Sequence, residues 1–246
     1  SEMCIRDRKK VVVPPSFHLG SCASSTMASV DPIRSLCGAL TQATGGVYHV
    51  DLRMPDGIHR LAEVVDLLFG KRIVGADVRE RLTLYVPAAI MVLLADPMGT
   101  YAKLACECFA SVYPRVFLYA SQDGSPASFQ LWQVVTAIKE RVLFTLDDGT
   151  LGARIGAVKA CQRIIQAQTK PDGDPRLQNR AEINLNAVPP EHPFLKTEQL
   201  EAEADQVFTR LVTLLFTCKA PSLVMGVTQV LTLSLIHISE PTRLRR

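Results

Sequence analysis

The chain has 246 residues, of which 27 are basic and 24 acidic, giving a formal net charge of +3. Apolar residues make up 48% and charged residues 21%, a globular composition that excludes a disordered, collagen-like or highly charged coiled chain. The 14 glycines and 15 prolines are too few for a protein built from many tight hairpins. At about 100–200 residues per domain, the chain forms one domain or two small ones.

Both ends resemble translated sequencing-adapter sequence, SEMCIRDR at residues 1–8 and LIHISEPTRLRR at residues 235–246. Excluding them leaves a net charge near +1, so the basic C-terminus does not indicate a nucleic-acid-binding tail. We expect residues 1–30 to be artefact and disordered leader, with Met27 as a candidate start. Residues 31–234 form the expected folded domain, a fragment of a longer protein, and residues 235–246 an artefact tail.

Apolar residues recur at helical spacing through most of the chain. Asp31 and Pro32 are typical of a helix start, and Gly45 and Gly46 of a helix end. We expect Pro87 to kink its helix or end the first half of it, and Pro114 to bend its helix. Beyond the first helix, the predicted helices span 59–69, 77–95, 99–120, 127–146 and 150–169, followed by one capped by Thr197 and one over 221–233.

Seven or eight helices of about 15–20 residues, joined mostly by short turns, indicate antiparallel helix pairs. The pair length of roughly 45 residues falls in the range of HEAT and armadillo repeats. The predicted fold is therefore all-α, an α-solenoid of HEAT-type helix pairs, with a compact helical bundle as the alternative. Residues 170–196 form one long, proline-rich connection, far beyond the usual length of about 4–6 residues. We expect it to be disordered or to pack across a surface.

The sequence holds no recognisable catalytic, phosphate-binding or metal-binding motif. Cys106 and Cys108 lie two residues apart on a helix, so their side chains diverge and cannot share a metal. Asp147 and Asp148 fall in a predicted turn, and His192 lies in a rigid proline-rich segment without an orienting partner. We therefore predict neither an enzyme nor a cofactor or metal site. The cysteines suit reduced, buried thiols of an intracellular protein.

The basic residues of the sixth helix are the best candidates for binding a partner. Lys159 and Arg163 lie four residues apart, and Gly152 and Gly156 on the same side would let a partner approach closely. A solvated helix face is the alternative interpretation. The single tryptophan, Trp132, is expected to be a core or inter-repeat anchor. The full candidate set for protein binding is Lys159, Arg163, Lys139 and Arg154.

Six strings in residues 100–233, taken in order and spacing, resemble the N-terminal domain of the symplekin family. They are ASVYP (110–114), LWQVVTAIKER (131–141), AVK (157–159), RIIQAQT (163–169), VPPEHPFL (188–195) and LEAEA (200–204). Residues 57–99 fit the preceding repeats loosely.

The resemblance implies a non-catalytic arc of HEAT repeats in the nuclear machinery that cleaves and polyadenylates pre-mRNA. It implies that the concave face docks a phosphatase of the RNA polymerase II C-terminal domain, with Lys159 and Arg163 on or near it, and that other subunits bind elsewhere in the protein. Neither direct nucleic-acid binding nor a membrane partner is expected. The alternatives are another HEAT scaffold, such as a transport receptor or phosphatase regulatory subunit, or an all-helical enzyme.

Overall fold

The computed structural model describes residues 32–46, 49–69, 76–96, 98–170 and 183–239. These residues contain no strand, and the predicted all-α fold is confirmed. A short 3₁₀ helix, Leu185–Ala187, precedes α7. The α-helices are α1 (Pro32–Ala43), α2 (Pro55–Phe69), α3 (Ala76–Leu93), α4 (Ala102–Gln122), α5 (Pro126–Asp148), α6 (Leu151–Gln168), α7 (Thr197–Thr217) and α8 (Pro221–Ser239).

The helices form two layers, as in an α-solenoid of helix pairs. In the odd layer α1 packs on α3 and α3 on α5, while in the even layer α2, α4, α6 and α8 follow one another in contact. Neighbours along the chain, such as α3 with α4, α5 with α6 and α7 with α8, join the layers. Because each helix contacts helices one or two places away in chain order, the core is continuous from repeat to repeat.

The contact between α4 and α6 is the most extensive in the domain. Small residues allow this close approach: a Cβ on Gly156 would lie 2.9 Å from the carbonyl oxygen of Lys103 and 3.1 Å from the Cβ of Cys106. On α4, three buried aromatic rings, Phe109, Tyr113 and Phe117, then fill the space between the layers. The position of α4 at the centre of the core explains why it buries residues on most of its circumference.

Local sequence signals fix several helix ends. Gly45 and Gly46 adopt φ values of 67° and 78°, and the Gly46 N–H donates to the Thr41 carbonyl at 2.9 Å, which is the glycine-terminated end predicted for α1. Ser125 caps α5 by accepting from the Ser128 N–H at 3.2 Å. Thr150 caps α6 by accepting from the Ala153 N–H at 3.3 Å.

Some predicted boundaries differ from those observed. Helix α2 begins four residues earlier than predicted, at Pro55, because proline suits the first turn of a helix. Neither Pro87 nor Pro114 ends its helix, and both lie inside continuous helices. Thr197 is the first residue of α7 rather than its cap, and Lys196 holds the cap position without a side-chain capping hydrogen bond.

The described part of the long connection, residues 183–196, packs on the preceding repeats. Leu185 and Leu195 are buried, and the Phe194 ring lies 5.4 Å from that of Phe129 on α5. A Cβ on Gly124, between α4 and α5, would lie 3.0 Å from Cγ of Pro193. This half of the connection therefore covers a neighbouring surface, one of the two outcomes expected from the sequence. Residues 171–182 and the predicted leader lie outside the described residues. None of the described helices has the length and apolar content needed to cross a membrane.

Candidate protein-docking surface

The solvent-facing side of α4 and α6 carries two of the basic residues singled out in the sequence, Lys159 and Arg163. We call it the even-helix surface and define it by Glu107 and Ser111 on α4 and by Lys159, Gln162, Arg163 and Gln166 on α6. All six side chains are exposed or half-buried. Because α4 and α6 pack side by side, these residues form one continuous polar surface.

Lys159 connects the two helices of this surface. Its Nζ donates to Oε1 of Glu107 at 2.7 Å, although the Lys159 side chain is 55% exposed. An exposed ion pair of this kind contributes little stability, about 0–1 kcal/mol. Lys159 can therefore exchange Glu107 for a partner's carboxylate at small cost.

Arg163 lies one turn further along α6 and is exposed. Its Nη1 donates to Oε1 of Gln166 at 3.1 Å, and no carboxylate in the described part of the chain pairs with it. Arginine can bind a carboxylate or phosphate through two parallel hydrogen bonds. Arg163 is thus the clearest free positive charge on the even-helix surface.

The glycines beside these residues do not serve the surface as the sequence suggested. Gly156 is buried against α4, and a Cβ on Gly152 would lie 3.5 Å from Cδ of Lys103. Both glycines therefore face α4 rather than solvent. The prediction that they leave room for a partner is wrong, because the space they provide is filled by the neighbouring helix.

The prediction that Lys139 belongs to a surface for protein binding is wrong, because the residue is buried. Its side chain is only 3% exposed and pairs with Glu203 of α7, while its Nζ also lies 4.7 Å from the centroid of Trp132. Burial lowers the pKa of Lys139, and the Glu203 carboxylate opposes this by favouring the charged form. The residue joins α5 to α7 inside the domain.

Arg154 has a local structural contact. Its Nε donates to the carbonyl oxygen of Leu146 at 2.8 Å, in the last turns of α5, where backbone carbonyls lack helical partners. The side chain is half-buried. Arg154 therefore stabilises the α5–α6 turn, and only part of it remains accessible to a partner.

Trp132 is an inter-repeat anchor, as predicted. It is 8% exposed, and its ring meets that of Phe117 on α4 edge-on, with centroids 6.0 Å apart. One side of the ring thus packs into the core while the other holds the Lys139 ammonium. The partner of Lys139 in the buried ion pair is Glu203, which lies in the string LEAEA. The sequence alone did not indicate that these two residues pair.

The other candidate chemistry is structural in this fold. Cys106 and Cys108 are both buried, and burial raises the pKa of Cys106 to about 12, with Glu107 adding to the effect. Such a thiol is a poor nucleophile at neutral pH. His192 is 4% exposed and Asp147 pairs with Arg210 at 2.7 Å. Within the described residues, no group of three or more His, Cys, Asp or Glu side chains could hold a metal ion.

A two-layer array of helix pairs with an extended polar surface is the architecture of an α-solenoid interaction scaffold. A family model described as Symplekin/PTA1 N-terminal matches residues 100–238, which is more than half of the chain and runs from α4 to the last turn of α8. The chain belongs to this family.

One curated relative is the mRNA cleavage and polyadenylation specificity factor complex subunit pta1 of Schizosaccharomyces pombe, 29% identical over 113 residues. The match covers 46% of this chain and 16% of the relative. The matched part of the chain therefore spans about one sixth of that relative's length.

Proposed function

We propose that this chain is the N-terminal interaction domain of a non-catalytic scaffold subunit in a nuclear mRNA 3′-end cleavage and polyadenylation complex. The observation that carries the proposal is the family match over residues 100–238, which contains the whole even-helix surface. The relative's membership of such a complex supports it. Nuclear location and contacts with other subunits of the complex follow from the same assignment.

Within this role, the even-helix surface docks a phosphatase that acts on the C-terminal domain of RNA polymerase II. Lys159 and Arg163 supply the positive charge and would meet carboxylates of the partner. Neighbouring Gln162 and Gln166 offer uncharged donors and acceptors around them. Anchors of this type, set in a polar rim, carry most of the affinity of many protein interfaces. The alternative scaffolds, a transport receptor or a phosphatase regulatory subunit, receive no support from the family match.

The test is the binding of the full chain to the phosphatase of the same organism, measured by pull-down and isothermal titration. The variant Lys159→Glu/Arg163→Glu should lose binding by at least tenfold, because it replaces two attractive charges with repulsive ones. The control Arg141→Glu/Lys219→Glu makes the same change in net charge away from this surface and should bind like the parent.

A charge swap separates binding from folding. In Lys159→Glu/Glu107→Lys the α4–α6 ion pair can form in the opposite direction, so the fold should be retained while the charge at position 159 is inverted. Weakened binding by this folded variant supports a direct contact. Equal binding by the parent, the charge-swap variant and the Lys159→Glu/Arg163→Glu variant would show that the phosphatase does not dock on the even-helix surface.

A further inference from the structure

The turn between α4 and α5 holds a serine that is followed by a proline, Ser125–Pro126. No other serine or threonine in the 246-residue chain precedes a proline. The two residues start α5, with Ser125 at the cap position and Pro126 at the first helical position, an arrangement that favours helix formation. Proline-directed protein kinases select the same dipeptide, because their active sites require a proline directly after the phosphorylated residue. Whether Ser125 can serve such a kinase depends on the conformation and exposure of this turn.

The turn presents Ser125 in an extended and accessible segment. Asp123 has φ and ψ of −123° and 108°, and Ser125 has −67° and 158°, both extended backbone. Gly124, Pro126 and Ala127 are exposed, and Ser125 is half-buried. Because protein kinases bind their substrate segment in an extended conformation, only the first turn of α5 has to open for Ser125 and Pro126 to enter an active site.

Two local hydrogen bonds hold the Ser125 hydroxyl. Its Oγ donates to Oδ2 of Asp123 at 2.8 Å and accepts from the N–H of Ser128 at 3.2 Å. Both partners lie within three residues of Ser125 along the chain, and Asp123 is itself only half-buried. The hydroxyl can therefore leave these partners without disturbing the contacts between helices.

The start of α5 suits a phosphate group. A phosphoserine carries about −1.5 to −2 charges at neutral pH and three acceptor oxygens. The N-terminus of a helix favours such an anion, because its first N–H groups lack helical partners. The first turn of α5 contains no acidic residue, and the Ser128 N–H already points at Ser125. Asp123 opposes the phosphate as a like charge and loses its hydroxyl donor, but it still accepts from the Ser125 N–H at 2.9 Å.

A phosphate here would add negative charge beside the described part of the long connection. A Cβ on Gly124 would lie 3.0 Å from Cγ of Pro193, so the connection lies close to the turn. The charges of Lys196 and Asp123 both act on the buried His192 of the connection. Phosphorylation would therefore change the balance of charge where the turn and the connection meet.

We propose that Ser125 is a phosphorylation site for a proline-directed protein kinase. The Ser125 Oγ attacks the γ-phosphorus of ATP, the bond from that phosphorus to the oxygen shared with the β-phosphate breaks, and ADP leaves. The hydroxyl proton passes to the catalytic base of the kinase. The phosphoserine then caps α5 in place of the hydroxyl. The site lies outside the even-helix surface, and the proposal does not depend on phosphatase docking.

The test is phosphorylation of the folded full chain by a purified cyclin-dependent kinase, which is a proline-directed enzyme, with ATP. Intact mass follows the transfer of phosphate, and tandem mass spectrometry identifies the modified residue. The parent should gain one phosphate, on Ser125. Pro126→Ala keeps the hydroxyl but removes the proline, so its initial rate should fall at least tenfold. Ser125→Thr keeps both the cap and the motif and should be phosphorylated at the same position.

A synthetic peptide of residues 119–131 separates the effect of the sequence from that of the fold. The folded chain should be phosphorylated at a rate within about tenfold of that peptide, and thermal unfolding should show that Pro126→Ala is folded like the parent. Phosphorylation of the peptide but not of the folded chain would overturn the proposal, since the turn would then be closed to the kinase. Equal rates for the parent and Pro126→Ala, or no phosphate on either the chain or the peptide, would overturn it as well.

Discussion

The Nζ of Lys139 lies 2.6 Å from Oε2 of Glu203, and this ion pair joins α5 to α7 across a buried polar site. The same Glu203 oxygen accepts from Nε2 of Gln168 on α6 at 2.8 Å. Three helices thus meet at one carboxylate oxygen. Helix α1 packs directly on α3, and α3 packs directly on α5. In contrast, α5 and α7 are linked largely by long polar side chains such as these.

Breaking this pair should destabilise the domain strongly. In Glu203→Gln the Lys139 ammonium stays 3% exposed without its carboxylate, and removing one member of a buried pair costs about 3–5 kcal/mol. Because Glu203 is itself 31% exposed, we expect the lower end of that range. Urea unfolding followed by circular dichroism measures the change.

Two further variants test whether the unpaired charge of Lys139 is the reason for the loss of stability in Glu203→Gln. The double variant Lys139→Met/Glu203→Gln removes the charge as well as its partner and should recover to within about 1 kcal/mol of the parent. Arg210→Met breaks the exposed pair with Asp147, in which Arg210 is 47% exposed, and should cost less than about 1 kcal/mol. A Glu203→Gln variant as stable as Arg210→Met would show that Lys139 is not a buried cation.

Substituting Gly156 tests the close approach of α4 and α6. In Gly156→Ala the new methyl group would lie 2.9 Å from the Lys103 carbonyl oxygen, and relieving such overpacking costs about 1–3 kcal/mol. This exceeds the gain of about 1 kcal/mol that alanine brings to a helix. Thermal unfolding should therefore show a lower melting temperature.

The matched control for Gly156 is Gly38 in α1. A Cβ on Gly38 would meet nothing within 4 Å, so Gly38→Ala should gain up to about 1 kcal/mol from helix propensity alone. We therefore expect Gly156→Ala to lower the free energy of unfolding and Gly38→Ala to raise it. Stabilisation by both would mean that α4 and α6 can separate freely at this point.

Trp132 should be the most sensitive aromatic position on α5. Trp132→Ala removes the edge contact with Phe117 and the ring beneath Lys139, and we expect a loss of about 3–5 kcal/mol in unfolding free energy. Trp132→Phe keeps an aromatic ring and should cost roughly half as much. Chemical denaturation of both variants, compared with the exposed substitution Phe144→Ala, checks the prediction. A small loss of unfolding free energy in Trp132→Ala would show that Trp132 is not an anchor between repeats.

The helices could be predicted from the sequence because their apolar residues recur at helical spacing and their ends carry glycine, proline or hydroxyl caps. Gly45 and Gly46 at the end of α1 are an example in which the local signal is sufficient. The family could also be predicted, because six short strings kept their order and spacing.

The environment of individual charged residues could not be predicted. Lys139 and Lys159 have similar sequence surroundings, yet one is buried and the other exposed, because each partner comes from a distant helix. Glu203 lies 64 residues from Lys139, and Glu107 lies 52 residues from Lys159. The role of Gly156 could not be predicted for the same reason, because the residues that pack against it belong to another helix, α4.

His192 should make the stability of the domain depend on pH. Its Nδ1 accepts a hydrogen bond from the Leu195 N–H at 3.0 Å, and the imidazole lies edge-on to Phe194 with centroids 4.5 Å apart. Protonation of Nδ1 would remove that acceptor. Burial lowers the pKa of His192 below its usual value near 6.5, against the opposing influence of the Ala120 carbonyl.

Because the folded state binds this proton less readily than the unfolded state, the His192 contribution is complete above about pH 6.5 and is lost as the pH falls through the folded pKa. Urea midpoints measured between pH 8 and pH 5 should therefore decline more steeply for the parent than for His192→Gln. The variant should be less stable than the parent at pH 8, where the hydrogen bond to Leu195 is intact, and the difference should narrow at pH 5. Parallel midpoints across the whole range would mean that His192 is protonated equally in both states and does not hold residues 183–196 against α4 and α5.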